Sequence, residues 1–158
     1  MSTVVVRSIT RPDDAVLQAL PPLFEAMHVE MAAQGMLLHL AEQGAHIWLT
    51  GITAGLERFG RLAVAETDGH VVGFAHAGVK LAPEHLGGER VGHIAHVYVV
   101  PQHRRYGVAG QLATSLHDWL QAKQVTSIEL QVVQGNEAGR AFWKSLGYAP
   151  ELMQLRKV

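Results

Sequence analysis

The succession of apolar periodicities along this chain predicts the α/β (α+β) class, one mixed sheet with helices on its faces. Three observations carry that expectation. Asp68-Gly69 stands between two apolar-rich runs, the strongest short hairpin signal a sequence can give. Strand-like and helix-like stretches follow one another in the order β-α-α-β-β-β-α-β-α-β. The segment Val97-Tyr98-Val99-Val100-Pro101-Gln102-His103-Arg104-Arg105-Tyr106-Gly107-Val108-Ala109-Gly110 reads as a strand that runs through two arginines into a glycine-rich turn and opens a helix.

Taken in order, Val4 to Ile9 is a first strand. Arg11-Pro12-Asp13-Asp14 then places proline and acidic residues where a helix begins. Leu17, Leu20, Leu23, Phe24 and Met27 keep helical spacing, and Pro21-Pro22 must kink that helix or divide it. After a connection from Gly35 to Gly44, Trp48, Ile52, Leu56 and Phe59 mark a second helix, ended by Gly60. Arg61–Thr67 and His70–Val79 form the hairpin, Pro83–Gly88 a loop and Val91–Val100 the next strand. Val108, Leu112, Leu116, Trp119 and Leu120 line one face of a helix, followed by a strand over Ser127–Val133. Asn136 caps a short helix with Glu137 in its first turn, Lys144 in its last and Gly147 beyond. Leu152–Val158 reads as a last strand, and Tyr148 as the start of a buried one.

Composition narrows the function. The 158 residues are 48% hydrophobic and 17% charged, so residues 1–158 are read as one domain with a substantial core. A formal net charge of −1 argues against nucleic acid as a partner. A basic loop in a near-neutral chain points instead to a small anionic ligand. The chain has no cysteine, which excludes disulfides, thiolate nucleophiles and cysteine metal sites. The expected location is cytoplasmic, since no apolar run reaches the ~20 residues of a membrane span and Met1-Ser2-Thr3 lacks the order of a signal peptide. His28, His39 and His46 follow no metal-ligand spacing, so no metal is expected.

The strand–turn–helix segment would present unpaired backbone N–H groups and the positive end of a helix dipole to an anion. Gly107, Ala109 and Gly110 let a polyanion approach closely, and Arg104 and Arg105 bring charge as ligand contacts or as solvated surface residues. This is a phosphate or pyrophosphate cradle. It lacks the lysine of a P-loop, and it lacks both the glycine spacing and the acidic strand end of a dinucleotide fold.

Arg104-Arg105-Tyr106-Gly107-Val108-Ala109 fits the pattern [Q/R]-x-x-G-x-[G/A] and resembles the pyrophosphate loop of the GCN5-related N-acetyltransferases, the GNAT superfamily. The likeness extends to the opening strand with Thr10-Arg11-Pro12-Asp13, and to the hairpin around Asp68-Gly69. It also includes the late element from Asn136 through Trp143 to Gly147-Tyr148. The resemblance implies a mostly antiparallel central sheet of about six to seven strands flanked by about four helices. It implies acetyl-CoA as co-substrate and direct acetyl transfer to an amine of a small molecule or peptide, with a homodimer compatible with such a chain.

Carried over residue by residue, the resemblance gives backbone groups of Val97, Tyr98 and Val99 to the pantetheine arm, paired almost as an added strand. Arg104, Arg105, Tyr106, Gly107, Val108, Ala109 and Gly110 take the pyrophosphate. Asn136 matches a pantetheine-binding position and is equally a helix N-cap. The family often places its base as a carboxylate on the strand before the loop. Here that strand offers His93 and His96 instead. They stand three apart, so a regular strand turns them to opposite faces and a bulge would not. One of the two is the candidate base, and packed histidines are the plain alternative. Trp143 stands where the family commonly has a tyrosine acid near the CoA sulfur. Its indole N–H can donate a hydrogen bond but cannot release a proton. The general acid is unassigned, with Tyr98 conceivable. A rival reading is a non-catalytic acyl-CoA-binding or regulatory module. The acceptor side is expected in Met27–Trp48 and Lys80–Arg90, where only Glu25, Glu30 and Glu42 lend the first stretch acidity. That favours an acceptor less cationic than a polyamine or an aminoglycoside.

Overall fold

The computed structural model describes residues 2–158. The elements are β1 Val5–Ile9, α1 Leu20–Ala33, α2 Gly44–Thr53, β2 Gly60–Thr67, β3 His70–Leu81, β4 Arg90–Val99, α3 Val108–Ala122, β5 Ser127–Leu130 and α4 Glu137–Ser145. The sheet order is β1-β2-β3-β4-β5. The first three pairings are antiparallel and β4–β5 is parallel.

The prolines divide the first helix. A 3-10 turn over Ala15–Ala19 is capped by Asp14, whose Oδ1 accepts from Val16 N at 3.0 Å. α1 then starts at Leu20 with Pro21 and Pro22 in its first turn, where a missing N–H costs no helical hydrogen bond. α2 ends at Thr53, short of the expected Phe59. Glu57 takes φ 65°, and its N–H donates to Gly60 O at 2.7 Å. That tight turn lets Gly60 begin β2 rather than end a helix.

Two cores form, one on each face of the sheet. On one, the small residues Ala63, Ala65, Ala75 and Ala77 let α3 seat Leu112, Leu116, Trp119 and Leu120 against the strands. Each fully buried leucine there contributes about 2 kcal/mol of transfer energy. Gly92 is required by the same closeness, since a Cβ would lie 2.9 Å from Leu120 Cδ2. On the other face α1 and α2 cover Leu62, Val64, Phe74 and Tyr98 with Leu20, Phe24 and Met27.

The sheet has five strands among the described residues, fewer than the six to seven expected. The missing one is Leu152–Val158, which pairs with no strand. Tyr148 accordingly opens no strand. Its Oη lies 2.7 Å from His117 Nε2, and its ring packs against the α3 core. β5 also stops at Leu130, short of Val133. Among the described residues, no helix is long and apolar enough to cross a membrane.

Candidate active site

Two features of β4 shape the site. Its register with β3 slips between His76 and Ala77: His96 lies opposite His76, Ile94 opposite Ala77, and Ala95 has no partner. This bulge cancels the alternation between His93 and His96 and sets both on the α1–α2 face. There His76 faces His96, and Gly78 faces His93. The second feature is a split. β5 follows β4 only from Val91 to Ile94, so from Ala95 onward the β5-facing edge of β4 has no strand partner. The wedge opens at the bulge and leads toward the end of the strand at Tyr98 and Val99.

The arginine–glycine loop lies beyond that end. Arg105 and Gly107 both take left-handed backbone, φ 69° and 79°, and curl the chain so that successive N–H groups converge. Among the described residues, the N–H groups of 105–110 find no hydrogen-bond acceptor, and α3 starts at Gly107 without a side-chain cap. A Cβ built at Gly107 or Gly110 meets nothing within 4 Å, so the space in front of these amides is open. Converging donors, a helix N-terminus and open space suit a pyrophosphate, and the extended edge of Val97–Val99 suits a chain of amides.

The two arginines differ in disposition. Arg104 donates from Nε to Val99 O at 2.8 Å and from Nη2 to both oxygens of Glu30, at 2.9 and 2.8 Å. Its guanidinium lies 5.4 Å from the centre of the Tyr98 ring. It therefore ties α1 to the root of the loop. Arg105 has an exposed side chain within the loop. Burial, reinforced by Glu30, pushes the Tyr98 phenol up from its usual value, so it stays protonated at neutral pH.

The imidazoles form a cluster legible only in part from the sequence. His76, from the hairpin, joins His93 and His96, and the buried Nδ1 atoms of all three lack hydrogen-bond partners within the protein. Burial pushes His96 down to about 3, with His76, His28 and His93 adding repulsion. Burial likewise pushes His76 down to about 4, with His93 contributing. His96 is thus neutral and a weak base at pH 7. It packs edge-on to Phe24 at 5.1 Å and to Trp48 at 5.8 Å, two rings that stack on each other at 4.0 Å. Together they form an aromatic cluster between α1, α2 and the sheet.

His93 is partly exposed and has a different neighbour. Glu129, opposite it on β5, brings Oε1 to 3.6 Å from His93 Nδ1, and Lys80 Nζ contacts the same oxygen. Glu129 was not singled out from the sequence, because only the parallel pairing of β4 with β5 brings it to His93. Among the described residues, no group of three or more His, Asp or Glu is disposed to hold a metal ion.

Asn136 caps α4 by accepting from Gly139 N at 2.9 Å, which leaves its amide N–H₂ free. Trp143 packs against the α3 core, edge-on to Tyr148 at 5.2 Å and to Phe142 at 4.8 Å. Gly135, before the cap, touches the end of α1: a Cβ there would fall 2.1 Å from Gln34 O. The β5–α4 connection therefore closes against α1.

Solved structures share this architecture over nearly their whole length. An aminoglycoside N-acetyltransferase crystallised with CoA superposes with a TM-score of 0.78, covering 99% of this chain and 96% of that one at 18% identity. A mutant form of a Bacillus halodurans protein gives 0.80 over 98% and 99% at 16% identity. A ribosomal-protein-alanine N-acetyltransferase of Brucella melitensis gives 0.69 over 99% of both chains at 22% identity. Identities this low speak for the fold alone. No curated protein matches the sequence. The model of the acetyltransferase (GNAT) family matches residues 28–148, a span that holds the hairpin, the bulged strand, the amide cradle and the capped final helix; the chain belongs to that family.

Proposed function

We propose that the protein is an N-acetyltransferase that moves an acetyl group from acetyl-CoA directly to an amine of a small molecule or peptide. The observation that carries this reading is the run of acceptor-free N–H groups at 105–110, set at the end of the split between β4 and β5. Acetyl-CoA, when bound, supplies an activated thioester. The amides of Arg105–Gly110 hold its pyrophosphate. The backbone of Val97, Tyr98 and Val99 pairs with the pantetheine arm, and Asn136 donates from its free amide.

His93 takes the proton from the acceptor ammonium, directly or through water, at Nε2. Glu129, its Oε1 3.6 Å from Nδ1, places a carboxylate beside the imidazolium formed. His96, neutral and buried, belongs to the aromatic cluster. The acceptor enters between α1, α2 and the β3–β4 connection. Glu30 is neutralised there by Arg104 and adds no free charge, which favours an uncharged or singly charged body around the amine. Residues 1–158 act as a single domain.

A second reading, a non-catalytic acyl-CoA-binding module, is favoured by Trp143, which packs half-buried against the α3 core where a tyrosine acid would stand. Thiol release measured over a panel of primary amines and amino-terminal peptides separates the two. Turnover on at least one amine is expected, and tight CoA binding without turnover on any supports the module. Gly107→Val tests the cradle under both readings. It fills the open space and forces a branched residue to φ 79°, so CoA-dependent thermal stabilisation should vanish. Undiminished stabilisation would refute the cradle.

A further inference from the structure

Lys80, His93 and Glu129 come from three neighbouring strands and meet at one atom. Lys80 Nζ contacts Glu129 Oε1, and His93 Nδ1 lies 3.6 Å from the same oxygen. The strand pairings put them there. Glu129 stands opposite His93 on β5 and Gly78 opposite His93 on β3. Lys80 follows Gly78 by two residues, so its side chain leaves the sheet on the same face. Position 78 carries no side chain, and the lysine crosses β4 to reach the carboxylate on β5.

An ion pair at a protein surface is ordinarily of small consequence, because water screens it. The lysine and glutamate side chains here are 57% and 42% exposed, but the shared atom is not. Glu129 Oε1 and His93 Nδ1 are both closed off from solvent. Charges that meet where water is excluded act on one another more strongly than their exposure suggests. The other titratable groups near the ring are His76 on β3 and His96 on β4, with His28 of α1 beside His96. Burial disfavours the charged form of all three, so the charges that face His93 at neutral pH are Lys80 and Glu129.

We propose that Lys80 is a positioning residue for the base, acting through Glu129. The carboxylate beside His93 is already engaged by a cation, so the imidazolium formed in each turnover sheds its proton readily. Without Lys80 the imidazolium has the carboxylate to itself and keeps its proton to higher pH. The inference rests on the reading of His93 as the base of an acetyl transfer.

The test is the pH dependence of kcat/KM together with the titration of the His93 ring by nuclear magnetic resonance, its signal assigned by loss in His93→Gln. Lys80→Met should move the acid limb and the ring midpoint upward by roughly half a unit, the effect of one partly screened charge. Lys80→Arg should restore both. Glu129→Gln should move them downward, and the double variant Lys80→Met, Glu129→Gln should fall between the two single variants. A ring and limb that stay in place in Lys80→Met, or that move downward, overturn the proposal and leave an ordinary surface ion pair. A lower kcat with an unmoved limb overturns it as well. Absence of turnover on every amine defeats the acetyl-transfer reading, and the ring midpoints then decide by themselves whether Lys80 governs His93.

Discussion

The His93 Nδ1 and Glu129 Oε1 atoms, 3.6 Å apart, put a carboxylate behind an imidazole. The carboxylate stands on the Nδ1 side of the ring, which leaves Nε2 to act. His96 has no such partner, and burial holds it neutral far below neutral pH. The two histidines therefore predict different kinetics. His93→Gln should lower kcat by about 10²-fold or more, the usual contribution of a positioned base, and leave CoA binding unchanged. Glu129→Gln should lower kcat about tenfold and change the acid limb of the pH–rate profile. His96→Gln should act chiefly on the KM for the amine, because His96 packs against Phe24 and Trp48. Steady-state kinetics over pH decides the matter. A kcat effect for His96→Gln larger than for His93→Gln would reverse the assignment.

At the scale of elements, Arg104 and Glu30 join α1 to the loop that ends β4, and the worth of that joint is better measured by binding than by stability. The pair is partly solvated, so breaking it costs at most about 1 kcal/mol of folding energy. The same bond fixes the direction in which the loop leaves Val99, and a misplaced cradle loses several amide contacts at once. Glu30→Gln is expected to lower the melting midpoint slightly and to weaken CoA binding several-fold, read by calorimetry with matched melts. Equal CoA affinity in the two proteins would reduce the pair to a surface contact. The elements that rest on local chemistry were legible in the sequence: the Asp68-Gly69 turn, the α4 cap at Asn136 and the Arg104–Gly110 loop. The face on which His93 and His96 meet was not, because the Ala95 bulge arises from pairing with β3. Glu129 was hidden for a similar reason, and His76 came from a hairpin read only for its turn. Leu152–Val158 has the apolar content of a strand, but within one chain it pairs with nothing.

The whole molecule responds to pH through the histidines buried between its layers. Burial, with neighbouring histidines adding repulsion, pushes His96 down to about 3 and His76 down to about 4, whereas the unfolded chain titrates near 6.5. Above about pH 6.5 both groups are neutral in either state and stability does not depend on them. As pH falls below about 6.5 the unfolded chain takes up protons that the folded chain refuses. Each histidine then removes up to about 1.4 kcal/mol of stability per pH unit, until its folded value is reached. Two such groups acting over one to two units consume a large part of the roughly 5–15 kcal/mol that holds a domain together. Asp14 works in the same direction at lower pH, since the Arg7 guanidinium holds its carboxyl below the usual range and that stabilisation is lost on protonation. The window from about pH 6.5 to 5 therefore isolates the histidines from the carboxylates. Urea melts in steps across it should show the wild-type midpoint falling steeply with acid, and His76→Gln and His96→Gln should each flatten that slope whatever they do to stability at pH 8. If the variants and the wild type fall in parallel, the acid sensitivity has another source, and the imidazoles of His76 and His96 are not its cause.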